Sequence, residues 1–253
     1  MTHGSAGRPL GLAAFFVLLF LALASLSSAQ KPTVEELLLR TDDLLRGESS
    51  QGRMTMRIKT ARWEREVTMS VWSKGSEKTL IRIEAPAKDR GVATLKVEND
   101  IWNYLPKVDR TIKVPASMMA GSWMGSHFSN DDLVREYRFG EDFSCEFVDQ
   151  LEEHWVIECV PNPDAPIVWG KVVIRIRKSD ELVDEVTYWD ERDRLVRTAT
   201  YSDIKDLGGQ RIPTRIRIAP ADDSGEYTEI LYEDMQFGVE IDDRTFTLQS
   251  LRR

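Results

Sequence analysis

From Gln51 onward the apolar side chains fall mostly on alternate positions, as in Met54, Met56 and Ile58, then Val67, Met69 and Val71, then Ile81 and Ile83. A period of two places each set on one face of an extended strand. Turn chemistry recurs between these runs at Lys74-Gly75, Asp89-Arg90-Gly91, Glu98-Asn99-Asp100, Asp190 to Asp193, Gly208-Gly209 and Asp222 to Gly225. It divides the chain into about ten to twelve strands, which predicts an antiparallel sheet that curls rather than a parallel α/β fold. Ahead of the strands the period changes, because Val34, Leu37, Leu38, Leu44 and Leu45 recur at helical spacing. Thr33 and Glu36 form a capping box and Gly47 a stop, so a helix is expected over 34–46. Its simplest role is to pack across an open sheet.

Several strands are charged on their second face: Arg175 and Arg177, and again Arg215 and Arg217, alternate with isoleucines. One face therefore looks to water. The opposite faces of about ten strands would meet inside the curl, and filling that space with side chains takes large residues at most inward positions. Many inward candidates are Met, Val or Ala, which leaves two readings: a packed β core with Met as filler, or an interior with room for an apolar ligand.

The stretch from Ile101 to Leu133 bears on that choice. An aromatic strand, IWNYLPKVDRTIKVP, runs into an apolar loop, ASMMAGSWMGSHFSNDDL. Met118, Met119, Trp123, Met124 and Phe128 lie there among Gly121 and Gly125, so they cannot all pack as one regular strand or helix. Flexible thioethers and aromatics on a loop suit a greasy, variable ligand. Ser129 can cap a short helix running to about Glu136, with Asp131 and Asp132 at its positive end. An acyl chain fits such an interior, since about fourteen methylenes withdrawn from water are worth on the order of 11 kcal/mol. A membrane offers a similar gain, so a carrier needs only an equally apolar interior and a gate that opens.

The same region resembles the LolA-like family of outer membrane lipoprotein-sorting proteins. The likeness rests on Trp102, Tyr104 and Pro106, followed by Gly125, Ser126, His127, Phe128, Ser129, Asn130, Asp131, Asp132 and Leu133. It continues in APAKDRGVATL upstream, in the turn from Gly208-Gly209 to Pro213, and in the segment from Asp242 to Leu248. His127 departs from the family, whose members often carry an acidic residue there. The resemblance implies an α+β fold: a strongly curved, incompletely closed antiparallel β-barrel covered by the N-terminal helix and a short loop-helix lid. It also implies a periplasmic carrier of lipid acyl chains or lipoproteins. Such a protein would be a monomer that needs no cofactor and is not an enzyme, served by an inner-membrane transporter and an outer-membrane acceptor. Residues expected in or beside the cavity are Met54, Met56, Met69, Val71, Ile83, Leu95, Trp102, Tyr104, Met118, Met119, Trp123, Met124 and Phe128. A lipid-binding accessory of a membrane transporter with other cargo, and a ligand-free assembly module, are the alternatives.

Charge and composition narrow the partners. The formal net charge of −8 disfavours nucleic acid. At the amino terminus Arg8 precedes an apolar run from Leu10 to Leu26 and then Ser27, Ser28 and Ala29, the layout of a signal peptide cleaved after Ala29. A retained anchor is the alternative, since about 17 apolar residues lie near the lower limit for a bilayer span. Export would leave residues 30–253 as a single domain in an oxidising space. There, Phe143 to Val148 and Trp155 to Val160 would form a hairpin that sets Cys145 opposite Cys159. A disulfide and two buried thiols both remain open, because pairs on neighbouring strands suit the bond only at the close, non-hydrogen-bonded site.

Catalytic patterns are scarce: there is no Cys-x-x-Cys, His-x-x-x-His or Gly-x-Ser-x-Gly. His127 with Asp131 and Asp132 could serve as a base or a metal ligand, but helix-start chemistry explains both aspartates. His154 is expected in a solvated turn. Lys107, Arg110 and Lys113 read as a solvated strand edge or as contacts for a lipid phosphate or an acidic partner.

Overall fold

The structure, a computed structural model, describes Met1 and residues 31–135, 139–163, 165, 167–222 and 224–252. The expected leader and its cleavage point after Ala29 lie outside the described residues. Residues 32–253 form one compact unit.

Helix α1, Val34–Arg46, begins with the expected capping box: Thr33 N donates to Glu36 Oε2 at 2.9 Å, and Glu36 N donates to Thr33 Oγ1 at 3.1 Å. Gly47 ends it at φ 59°, a left-handed conformation that glycine adopts without steric cost. The apolar stripe buries Leu37 and Leu38 against the sheet.

Two antiparallel meanders follow. The first comprises β1 (Ser49–Lys59), β2 (Glu64–Lys74), β3 (Lys78–Ala85), β4 (Ala93–Val97), β5 (Asp100–Leu105) and β6 (Arg110–Lys113). The second comprises β7 (Phe143–Gln150), β8 (His154–Pro161), β9 (Lys171–Arg177), β10 (Val183–Trp189), β11 (Leu195–Leu207), β12 (Gln210–Pro220) and β13 (Tyr227–Phe237). First and last strands pair, so the sheet has 13 strands in the order β6-β5-β4-β3-β2-β1-β13-β12-β11-β10-β9-β8-β7. The order has two free edges and the barrel is open. The chain between these edges contains the Met-rich loop, α2 (Asn130–Arg135) and α3 (Phe139–Asp142).

One strand more than the upper expectation appears because IWNYLPKVDRTIKVP is not a single strand. Pro106 opens a 3₁₀ turn over Pro106–Val108, and Asp109 reverses the chain at φ 47°. The six predicted turn sites all fall between strands, with positive φ at Gly75, Gly91, Glu98, Asp193, Gly208, Gly209 and Gly225.

Curvature shows in the packing. Met56, Met69 and Ile83 from the first meander share one buried cluster with Ile157, Ile174 and Ile218 from the second, which a flat sheet could not bring about. The outer face is not uniformly wet. Leu80, Leu95, Trp102 and Tyr104 lie on the far side of β3–β5, under a C-terminal segment that contributes Ile241, Phe246 and Leu251. Cross-strand register fixes this arrangement, since Leu80 pairs with Leu95 and Leu95 with Trp102.

Cys145 and Cys159 are directly opposite in register, with Cα atoms 4.1 Å apart, and the structure joins them in a disulfide. Phe143, Cys145 and Phe147 share the interior cluster with Ile157 and Cys159, as the alternation predicts. Among the described residues no helix is long and apolar enough to cross a membrane.

Candidate functional site

The concave face encloses two apolar chambers. One lies toward the second meander, between α1, α3 and β9–β12; its walls include Leu44, Phe139, Phe143, Trp169, Val172, Ile174, Val186, Tyr188 and Ile218. The other lies toward the first meander and is lined by Met54, Val71, Ile81, Trp123, Leu133, Ile230, Tyr232 and Met235. Phe128 and Ile216 line both and so stand between them. The space open to the centre of a water molecule is about 70 Å³ in the first and about 90 Å³ in the second. These are narrow spaces, and a long acyl chain would need their walls to shift.

The Met-rich loop supplies the cover, through a subset of its residues. Trp123 and Phe128 are buried, and Met124 packs half-buried against the same cluster with φ 54°. Met118 points outward, 58 % exposed on a 3₁₀ turn over Ala116–Met118, and Met119 lies near the surface beside Lys113 and Pro115. Among the strand residues expected at the cavity, Met54 and Val71 line it. Met56, Met69 and Ile83 belong to the same interior but form solid packing rather than wall. Leu95, Trp102 and Tyr104 require correction. They face away from the interior, Leu95 at 1 % exposure, and fill the outer cluster beneath the C-terminal segment.

At least four polar attachments among the described residues hold the cover to the sheet. Trp123 Nε1 donates to Thr94 Oγ1 on β4 at 3.2 Å, and Arg65 on β2 donates to the Met124 carbonyl at 3.3 Å. His127 N donates to Thr228 Oγ1 on β13 at 2.9 Å, and its Nδ1 lies 2.8 Å from the same hydroxyl. Arg197 on β11 makes the fourth attachment: its guanidinium donates to Asp132 Oδ2 at 2.8 Å, to Asp132 Oδ1 at 2.6 Å and to the His127 carbonyl at 3.0 Å.

Arg197 is 7 % exposed, its guanidinium lying against the paired rings of Trp169 and Tyr188. Burial alone would lower its pKa; hydrogen bonding and charge attraction from Asp132, together with Tyr188, outweigh that and raise it. Asp132 also closes a second capping box, accepting from Ser129 N at 2.7 Å while its own N–H donates to Ser129 Oγ at 3.0 Å. One carboxylate thus starts α2 and fastens it to the barrel.

These contacts account for the suspected catalytic group. Asp132 is engaged by Arg197, and the His127 ring lies between Thr228 and Glu226, the latter at 3.5 Å. His154 is not in a solvated turn: it begins β8, and its Nε2 lies 3.2 Å from Asp184 Oδ2. Among the described residues no group of three or more His, Cys, Asp or Glu is placed to hold a metal ion. Arg110 and Lys113 lie on the free edge strand β6, Lys113 paired to Asp100 at 2.7 Å, and Lys107 lies in the turn before it.

Sequence reasoning missed the second-meander walls, although Val172, Ile174 and Ile176 alternate as clearly as Met54 and Met56. It also missed Arg197, whose signal is a charge in phase with buried Ala199 on β11.

A family model described as an uncharacterized protein family matches residues 75–253. No curated protein matches the chain. Among solved structures, a DUF1329 family protein from Desulfovibrio piger superposes with TM-score 0.76 at 22% identity, over 85% of this chain and 96% of its own. A LolA superfamily protein from Nitrosomonas europaea gives 0.72 at 24% identity, over 87% and 100%. An outer membrane lipoprotein-sorting protein domain from Vibrio parahaemolyticus gives 0.72 at 21% identity, over 87% and 96%. The chain belongs to the family whose model covers residues 75–253, and its fold is the LolA-like open barrel with a covering helix.

Proposed function

We propose that this protein is a non-enzymatic carrier that shelters the acyl chains of lipids or lipoproteins while they cross the envelope toward the outer membrane. The observation that carries the reading is a pair of adjoining apolar chambers beneath a cover held by a small number of polar contacts. Release of those contacts would open the interior while the strand ladder stays intact. The thermodynamics suit a shuttle: an interior as apolar as a bilayer takes up a chain with little net change in free energy, so direction is set by partners at either end. A monomer loaded by an inner-membrane transporter and emptied at an outer-membrane acceptor fits this scheme. Export by an N-terminal signal peptide cleaved after Ala29 belongs to the same proposal, and the Cys145–Cys159 bond is consistent with an oxidising compartment.

The test is extraction of the purified protein with organic solvent and mass spectrometry of the extract, with titration of a fluorescent fatty acid alongside. Co-purified acyl lipid and saturable micromolar binding are expected. An extract free of lipid from a protein that also ignores the probe would mean the interior is only a packed core.

A further inference from the structure

Three hairpin turns of the first meander close the same end of the sheet: residues 60–63 between β1 and β2, 86–92 between β3 and β4, and 106–109 between β5 and β6. Together with Arg110, which starts β6, they carry five cations, Arg62, Lys88, Arg90, Lys107 and Arg110, against the two carboxylates of Asp89 and Asp109, on a chain whose formal net charge is −8. The turns at the opposite end, 75–77 and 98–99, carry Glu77 and Glu98 and no cation. All five cations are exposed and none forms an ion pair among the described residues, although Arg90 Nε donates to the Glu84 carbonyl at 3.0 Å. Both carboxylates have partners of their own: Arg65 on β2 reaches Asp89 at 3.0 Å, and the Tyr104 hydroxyl donates to Asp109 at 3.1 Å. Two apolar side chains stand out among the cations, Trp63 at 41 % exposure and Val108 at 60 %. The turns also adjoin one another, since a Cβ on Gly91 would lie 3.6 Å from Pro106 Cγ and the Arg65–Asp89 pair ties β2 to the second turn.

An acidic protein is repelled from anionic surfaces unless its positive charge is gathered on one side. Here it is gathered on a row of turn tips, with an indole and a branched aliphatic side chain among the cations. Lys and Arg are drawn to anionic head groups, and Trp favours the layer between water and hydrocarbon. We infer that these three turns, with Arg110, dock on an anionic lipid bilayer, the cations meeting lipid phosphates while Trp63 and Val108 enter the head-group layer. A peptide adding to the free edge would pair only with the four residues of β6 and leave the other two turns unused. Docking brings the cover to the membrane, because Arg65 also donates to the Met124 carbonyl and a Cβ on Gly125 would lie 3.6 Å from the Trp63 ring. The surface goes beyond the carrier reading and does not depend on what the interior holds.

The experiment floats the purified protein with phosphatidylcholine vesicles, with and without phosphatidylglycerol, in the absence of fatty acid. Binding is expected only to the anionic vesicles, and more weakly as ionic strength rises. Each cation near such a surface is worth about fivefold in affinity, so the triple variant Arg62→Gln, Lys107→Gln, Arg110→Gln should bind at least about tenfold more weakly. All three residues are exposed, so the variant keeps its fold. An environment-sensitive dye on Val108→Cys should report an apolar setting when vesicles bind, and the same dye on Asn99→Cys, at the opposite end, should not. The two native cysteines are joined to each other, which leaves the label a single site. A wild-type protein that ignores anionic vesicles overturns the docking surface and leaves the carrier reading standing; capture of an acidic peptide by that same protein would assign the patch to a protein partner instead. Equal flotation of wild type and triple variant, or a dye response at Asn99→Cys alone, also overturns it by placing the membrane contact elsewhere.

Discussion

At the scale of single residues, the Arg197–Asp132 pair governs how the cover is held. Its hydrogen bonds are short and bidentate, and both partners are largely buried. Removing one charge from such a pair leaves the other without compensation, which typically costs about 3–5 kcal/mol. Asp132→Ala and Arg197→Met each strand one charge, so both should lose stability of that order, and Asp132→Ala the more because it also removes the Ser129 capping box of α2. Urea unfolding of the two variants checks this, and losses below about 1 kcal/mol in both would show that the charge pair does not hold the site. A charge at an inward position was visible in the alternation of β11, but its partner lies 65 positions earlier. No pattern within one segment shows that the two meet.

At the scale of elements, local periodicity located almost every strand and gave α1 its full extent, because capping boxes, turn glycines and alternation are short-range properties. What it could not settle was which face of β3–β5 is inside. On β4 the usual rule is inverted, since Thr94 and Lys96 face inward while Ala93, Leu95 and Val97 face outward, and the segment that covers the outer face comes from the end of the chain. Apolar character alone therefore assigns Leu95, Trp102 and Tyr104 to the wrong side of the sheet. Asp242 caps the 3₁₀ turn Asp243–Phe246 of this segment, and hydrogen bonds from the Arg244 side chain and backbone hold its pKa down at about 2. A folded-state pKa below the unfolded value of about 3.9 means that its contribution is complete above that value and disappears as pH falls through about 2. Carboxyl NMR should show Asp242 titrating near that value, and a midpoint close to 4 would mean the cap does not form. The β1–β13 seam is equally specific. A Cβ on Gly52 would lie 2.0 Å from the Asp234 carbonyl oxygen and 2.4 Å from Met235 Sδ, so Gly52→Ala should part the strands at a cost of about 1–3 kcal/mol. An unchanged thermal midpoint would show that the seam yields. The Cys145–Cys159 bond closes a loop with a sequence separation of 14, for which chain entropy gives a stabilisation of about 3 kcal/mol. The double alanine variant should lose that amount in urea, and no loss would mean the unfolded chain is already restrained.

At the scale of the whole molecule, stability is divided unevenly between sheet and cover. Thirteen strands form one continuous antiparallel ladder joined through the β1–β13 seam, so the central strands can open only when much of the sheet opens with them. The cover relies on its own short hydrogen bonds, such as Trp123 N to the Phe128 carbonyl and Asp131 N to the Met119 carbonyl, together with its attachments to Thr94, Arg65, Thr228 and Arg197. Fewer bonds need to break for it to leave, and a gate must come from the less stable part of a structure if it is to work at all. Hydrogen exchange can separate the two. The amides of Trp123, Ser126, Asn130 and Asp131 should exchange more than about tenfold faster than those of Met56 and Met69, with a weaker dependence on denaturant because less surface is exposed. A bound fatty acid should slow the cover amides, since a ligand enclosed beneath them stabilises the closed state by mass action. If cover and sheet exchange together at one rate, whether or not ligand is present, the cover does not open independently and cargo must enter by another path.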